Sequence, residues 1–138
     1  MKTIGIIGAM EVEVAILKEK MEDVRIIKKA SMDFYEGILA GKKVVVVRSG
    51  IGKVNAGICA QILADVFSVD AIINTGIAGS LNKNINIGDI VLSTDVVQHD
   101  MDATGIWIPA RDRFRKCLYF SLMQMIISAD LLQKYVRK

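Results

Sequence analysis

The stretch Gly41-Lys-Lys-Val44-Val-Val-Val47-Arg48-Ser49-Gly-Ile-Gly52-Lys53-Val54 decides how the rest of the chain is read. Four consecutive β-branched residues are stiff at χ1 and favour an extended strand, so Val44–Val47 is the strongest strand signal in the sequence. A glycine-rich turn follows at once. From Lys53 to Phe67, Val54, Ile58, Ile62 and Val66 then recur at helical spacing. Strand, glycine turn and helix together are the repeating unit of an α/β fold.

The same logic extends outward. Thr3-Ile-Gly-Ile-Ile-Gly8 is a short apolar run ending in glycine, the pattern of a buried strand. Glu11 to Met21 places Val14, Leu17 and Met21 on one face, with Lys18, Glu19 and Lys20 elsewhere, and so predicts an amphipathic helix. Val24–Lys29 and Phe34–Leu39 read as strands, as does Ala71-Ile-Ile-Asn74, which ends at Thr75-Gly-Ile-Ala-Gly79. One more strand is expected over Ile87–Ser93. Strands alternating with two helices indicate an α/β sheet with parallel neighbours. Leu118–Met125 and Leu131-Leu132 are apolar clusters suited to helix, without any strand-and-glycine-turn pattern.

The chain has 138 residues, 52 % hydrophobic, with a formal charge of +3. That much apolar side chain excludes a disordered or low-complexity protein. No apolar run reaches the length of a membrane-spanning helix, and the N-terminus does not read as a signal peptide. Two cysteines, Cys59 and Cys117, make no disulfide framework, so a reducing cytoplasm is the expected compartment. Cys59 lies on an apolar helix face and is expected in the core. Charge is unevenly spread: residues 1–105 carry eleven Lys/Arg and thirteen Asp/Glu, whereas residues 106–138 carry seven and two. A basic tail holding Trp107, Phe114, Tyr119 and Phe120 could stack on single-stranded nucleic acid, although nucleic acid is not the expected partner.

In open α/β sheets ligands bind at the carboxyl ends of strands. Three such ends carry glycines here: Gly8-Ala-Met-Glu11, Ser49-Gly-Ile-Gly52 and Thr75-Gly-Ile-Ala-Gly79. They suit either close backbone approach to a ligand or tight connections between elements. The familiar nucleotide motifs fail. Gly5-Ile-Ile-Gly8 lacks the third glycine and the later acid of the dinucleotide fingerprint. Ser49-Gly-Ile-Gly-Lys53 has Val47 at the first Walker glycine and Val54 after the lysine. Glu11 and Glu13 follow the first strand end. They read either as favourable charge at a helix N-terminus or as a carboxylate able to activate water. His99, in Gln98-His-Asp-Met-Asp102, has carboxylate neighbours but reads more readily as a surface residue than as a metal ligand.

Five segments in this order resemble the 5′-methylthioadenosine/S-adenosylhomocysteine nucleosidases of the purine nucleoside phosphorylase superfamily. They are Ile4-Gly-Ile-Ile-Gly-Ala-Met-Glu11, Ser49-Gly-Ile-Gly-Lys-Val54, Ile73-Asn-Thr-Gly-Ile-Ala-Gly79, Gly88-Asp-Ile-Val91 and His99-Asp-Met-Asp-Ala-Thr104. The resemblance implies a three-layer αβα phosphorylase-like fold with a mixed central sheet. It implies a cytoplasmic homodimer without metal or organic cofactor that hydrolyses the N-glycosidic bond and releases adenine, as in methionine salvage. It aligns Glu13 with the glutamate that positions the attacking water; Val12 stands where a further Glu is usual. It also places Met10 near the ribose, Ile51 near the alkylthio group, and Ala78 and Gly79 near ribose and base. Ile77 stands where a small Ser is common.

The resemblance runs from Met1 to about Gly105, so residues 1–105 are expected to be the N-terminal part of a nucleosidase domain, C-terminally truncated. Residues 106–138 are expected to be a divergent basic tail. Where the family continues with a Phe-Gly-Tyr-Pro-like segment, this chain has Ile106-Trp-Ile-Pro-Ala-Arg111. Reading those codons one base later, with suitable degenerate bases, gives Phe-Gly-Tyr-Pro-Gln-Gly, which points to a frameshift; in that frame Met125-Ile126 would read as a stop. The family's later Met-Glu ribose clamp and its general-acid Asp have no counterpart in the tail. Loss of a general acid typically forfeits on the order of 10² to 10⁴ in rate. The alternative expectation is therefore an inactive product that at most binds ligand or dimerises.

Overall fold

Val44 to Val47 alternate between two cores. Val45 and Val47 pack with Ile7, Phe34, Cys59 and Leu63, while Val44 and Val46 pack with Ile6, Val14 and Met21. None of the four is more than 3 % exposed. Successive side chains of a strand point to opposite faces, so a wholly apolar strand demands a cover on both sides. The computed structural model, which describes residues 2–92 and the backbone of residues 122–126, supplies both covers. Helix α1 (Glu11–Glu19) lies on one face of the sheet and α2 (Lys53–Asp65) on the other.

The strands are β1 (Thr3–Gly8), β2 (Glu22–Lys29), β3 (Met32–Leu39), β4 (Lys42–Arg48), β5 (Ala71–Gly76), β6 (Val91–Leu92) and β7 (Leu122–Ile126). They form one mixed sheet in the order β2-β3-β4-β1-β5-β7-β6. β1 runs parallel to β4 on one side, with Gly8 opposite Arg48, and parallel to β5 on the other, with Gly8 opposite Thr75. β2, β3 and β4 are antiparallel, joined by tight turns in which Ala30, Ser31, Ala40 and Gly41 all have positive φ. That backbone matches the right-handed twist of two-residue hairpins. Phe34 and Phe67 stack with ring centroids 5.0 Å apart and close the α2-side core. The Cys59 thiol is fully buried there, as the sequence led us to expect, and desolvation pushes its pKa up to about 12.

Several expectations change. Both helices end earlier than their apolar periodicity suggests, α1 at Glu19 and α2 at Asp65. The stripe that buries on α2 is Cys59 and Leu63, whereas Val54, Ile58 and Val66 remain largely exposed. The strand expected over Ile87–Ser93 begins only at Val91, because Ile87 and Gly88 form a turn closed by an Asp89 N–H to Asn86 carbonyl bond of 3.1 Å; Ser93 lies outside the described residues. Of the cluster Leu118–Met125, expected to suit helix, the described residues 122–125 instead belong to strand β7, whose residues Leu122–Ile126 pair in parallel with Ile72–Gly76; residues 118–121 and Leu131-Leu132 lie outside the described residues. The sheet's β5 edge calls for a partner, and satisfying its backbone groups overrides local preference.

Candidate functional site

The carboxyl ends of β1, β4 and β5 lie side by side, and the glycine turns after them form one end of the sheet. Ser49 joins two of these ends. Its N–H donates to the Gly8 carbonyl at 2.9 Å, and its hydroxyl donates to the Gly50 carbonyl at 2.9 Å. The following Gly50 and Gly52 have φ of +84° and +107°, conformations open to glycine but strained for other residues. They turn the chain into α2, while the Asn55 side-chain amide donates to the Ile51 carbonyl at 2.8 Å and holds the turn. Ile51 is left projecting, 76 % exposed.

Glu13 sits at the centre of this end. It is only 8 % exposed, although α1 begins just two residues earlier. One carboxylate oxygen, Oε2, accepts the Met10 N–H at 2.9 Å; the other, Oε1, accepts the Ile77 N–H at 3.4 Å. The first bond is that of an N3 glutamate reaching back to an N-cap donor. The second crosses to the residue that follows β5. The carboxylate therefore spans β1 and β5, and the strand ends are shaped to admit it. A Cβ on Gly76 would lie 2.9 Å from Oε1, and one on Gly8 would lie 2.7 Å from Val14 Cγ1 and 3.1 Å from Glu13 Cβ. Both positions must lack a side chain for α1 and its glutamate to approach so closely.

Glu11 behaves differently. It is exposed, pairs with Lys18 Nζ at 2.8 Å and faces Arg48 Nε at 3.7 Å. The two glutamates, level by position alone and divided in the sequence only by the resemblance, thus take different places, Glu11 in surface ion pairing and Glu13 in a buried position between strand ends. Next to Gly8 in register, the Thr75 hydroxyl is buried and has no hydrogen-bond partner among the described residues.

Two clefts lie beside the backbone groups that Glu13 bonds, although Glu13 itself lines neither. Met10 and Ile51 line one of about 530 Å³, together with Glu11, Arg48, Ser49 and Asn55. Ile77, Ala78 and Gly79 line the other, of about 700 Å³, whose remaining wall is the loop that leads to Val91. The six candidate residues are therefore brought to one end of the sheet but not into a single pocket: Glu13 touches the backbone of both groups and lies between them. Sequence reasoning did not single out Gly8 and Gly76 for closeness to Glu13, nor Arg48 as a cleft residue. A charged residue directly after an apolar strand was the available signal for Arg48. The His99 cluster and the aromatic residues of the tail lie outside the described residues.

A family model described as the phosphorylase superfamily matches residues 3–137. Among curated relatives, the 5′-methylthioadenosine/S-adenosylhomocysteine nucleosidase of Staphylococcus haemolyticus is 54 % identical over 102 residues, covering 74 % of this chain and 45 % of the relative. The chain thus spans a little under half the length of the curated relatives it matches. Among solved structures, the nucleosidase of Colwellia psychrerythraea in complex with adenine aligns with a TM-score of 0.75 at 47 % identity, covering 80 % of this chain and 48 % of that one. The Streptococcus pneumoniae nucleosidase with the transition-state inhibitor MT-ImmA aligns with a TM-score of 0.73 at 40 % identity, covering 77 % and 46 %.

Proposed function

The chain belongs to the phosphorylase superfamily, and from that premise we propose that its site hydrolyses the N-glycosidic bond of 5′-methylthioadenosine and S-adenosylhomocysteine, with Glu13 as the group that activates water. Such a reaction breaks the bond from C1′ to the base while a water oxygen bonds to C1′. The water's proton passes to a carboxylate, and the departing adenine takes up a proton from solvent. A transition state with developing positive charge at C1′ is helped by a nearby carboxylate and by a water already oriented for attack.

The observation that carries this reading is the placement of Glu13. Its two oxygens accept N–H donors from two different strand ends, Met10 beside one cleft and Ile77 beside the other. A carboxylate held this way cannot swing away from the reacting atoms, and its remaining lone pairs are free to take a water proton. Met10 and Ile51 supply an apolar wall suited to a thioether, and Ala78 and Gly79 supply backbone close to ribose and base. The Ile77 side chain, 61 % exposed, narrows the approach on that side. A homodimer is the assembly in which we place this site.

The test is adenine release from both nucleosides by the 138-residue chain and by its Glu13→Gln variant. The variant keeps the shape of the side chain but cannot accept the proton, and its rate should fall on the order of 10² to 10⁴. Equal rates for the two proteins would overturn the role of Glu13. Nucleoside binding without any adenine release would replace hydrolysis by a ligand-binding function.

A further inference from the structure

The cleft beside Met10 has two unlike parts. Met10 and Ile51 are apolar, whereas Arg48 and Glu11 stand at its rim with opposite charge. They do not neutralise one another. Arg48 faces Glu11 through Nε at 3.7 Å, with a side chain 59 % exposed, while Lys18 Nζ holds both oxygens of the same carboxylate at 2.8 and 3.1 Å. One anion shared by two cations leaves a positive excess, and it leaves the guanidinium fork of Arg48 able to engage a second carboxylate. Among the described residues, the cleft lined by Ile77, Ala78 and Gly79 has no such group. Its one charged lining residue is Asp89, whose carboxylate already accepts the Asn86 N–H at 2.7 Å.

The two nucleosides named for the relatives share an adenosine with a 5′ thioether. They differ beyond the sulfur, where one ends in a methyl group and the other in an α-amino acid carrying a carboxylate and an ammonium. We propose that Arg48 makes the Met10–Ile51 cleft a subsite for the α-amino-acid end of S-adenosylhomocysteine and biases the site toward that substrate. This deepens the function proposed above and rests on it. The sulfur and methylenes lie along Met10 and Ile51, which offer soft and apolar contact. The carboxylate meets the Arg48 fork, while the ammonium stays in solvent, because Lys18 already occupies both oxygens of Glu11. Methylthioadenosine, ending in a methyl group, gains nothing from that fork.

Calorimetric titration of both nucleosides into the full chain tests this, with Glu13→Gln as the common background so that turnover does not intervene. With Arg48 in place, the affinity ratio of S-adenosylhomocysteine to methylthioadenosine should exceed that of Arg48→Gln by about five-fold, the scale of a partly exposed charge pair. Arg48→Lys, which keeps the charge but not the fork, should fall between them. The ratio should also shrink as salt is raised toward about 0.5 M, because exposed charges are screened. If both nucleosides bind and the ratio is the same in all three proteins, the Arg48 subsite is wrong while the function stands. If neither nucleoside binds, the functional reading fails and takes the subsite with it.

Discussion

Placing a methyl group on Gly76 tests how Glu13 is held. In Gly76→Ala the new Cβ would stand 2.9 Å from Glu13 Oε1 and 3.4 Å from its Cδ. Ordinary carbon–oxygen contact requires the oxygen to retreat by about 0.5 Å. The retreat is easy for the tip of a long side chain, so packing suffers little. The cost falls on the Ile77 N–H bond, which at 3.4 Å is already near the limit of a hydrogen bond and would not survive. Losing one long bond to a carboxylate should lower stability by about 1 kcal/mol. The effect on catalysis should be larger in proportion. Since a 1 Å misplacement can cost about 10²-fold, a shift of half that size should cost roughly ten-fold. The loss should appear in kcat rather than KM, because Gly76 meets Glu13 and not the substrate. Urea unfolding gives the first quantity, with the slope m unchanged, and adenine release gives the second. A variant with the rate of the parent would refute the argument. So would one destabilised by several kcal/mol, since the strand rather than the carboxylate would then be resisting the methyl group.

Two further outcomes follow from the structure. Gly57 lies on the exposed side of α2, and a Cβ there meets nothing within 4 Å, so Gly57→Ala should stabilise the protein by about 0.5–1 kcal/mol, read as a higher Tm; a lower Tm would contradict the open surface. Burial raises the Cys59 pKa from 9.0 to about 12, so its contribution to stability is intact below about pH 9 and is lost as the pH climbs toward 12, where only the unfolded chain forms thiolate freely. In a Cys117→Ser chain, a thiol reagent at neutral pH should therefore react only after denaturant is added, and prompt reaction with the folded protein would contradict the burial.

The strands that the sequence announced most clearly are those whose burial leaves few alternatives. Val44–Val47 could be little else, and Thr3–Gly8 and Ala71–Asn74 are apolar runs bounded by turns. Helix α2 was legible as a helix but not in its orientation. Of the expected stripe Val54, Ile58, Ile62 and Val66, only Ile62 packs against the core; the other three are exposed, while Cys59 and Leu63 face the sheet. Strand β7 was not legible because Leu122-Met-Gln-Met-Ile126 has little β-branched character, and its conformation follows from pairing with β5. Of the site, position along the chain left Glu13 level with Glu11, and only the family resemblance chose Glu13. The separation depends on which carboxylate the Gly8 and Gly76 ends admit, a matter of tertiary distance that no local pattern records.

The two donors that fix Glu13 also differ in when they become available. The Met10 N–H is three residues away, whereas the Ile77 N–H is 64 residues away and arrives only when β5 docks against β1. The β2–β3–β4 ribbon closes through short turns and needs neither event. Local pairings of that kind form ahead of distant ones during folding. The carboxylate therefore stays half-anchored until the seam between β1 and β5 has zipped. A molecule that grips the completed site adds its binding free energy to every state in which that seam is closed. Amide exchange should register the effect as slower opening of β1 and β5, while the hairpins of the ribbon continue to breathe at their own pace.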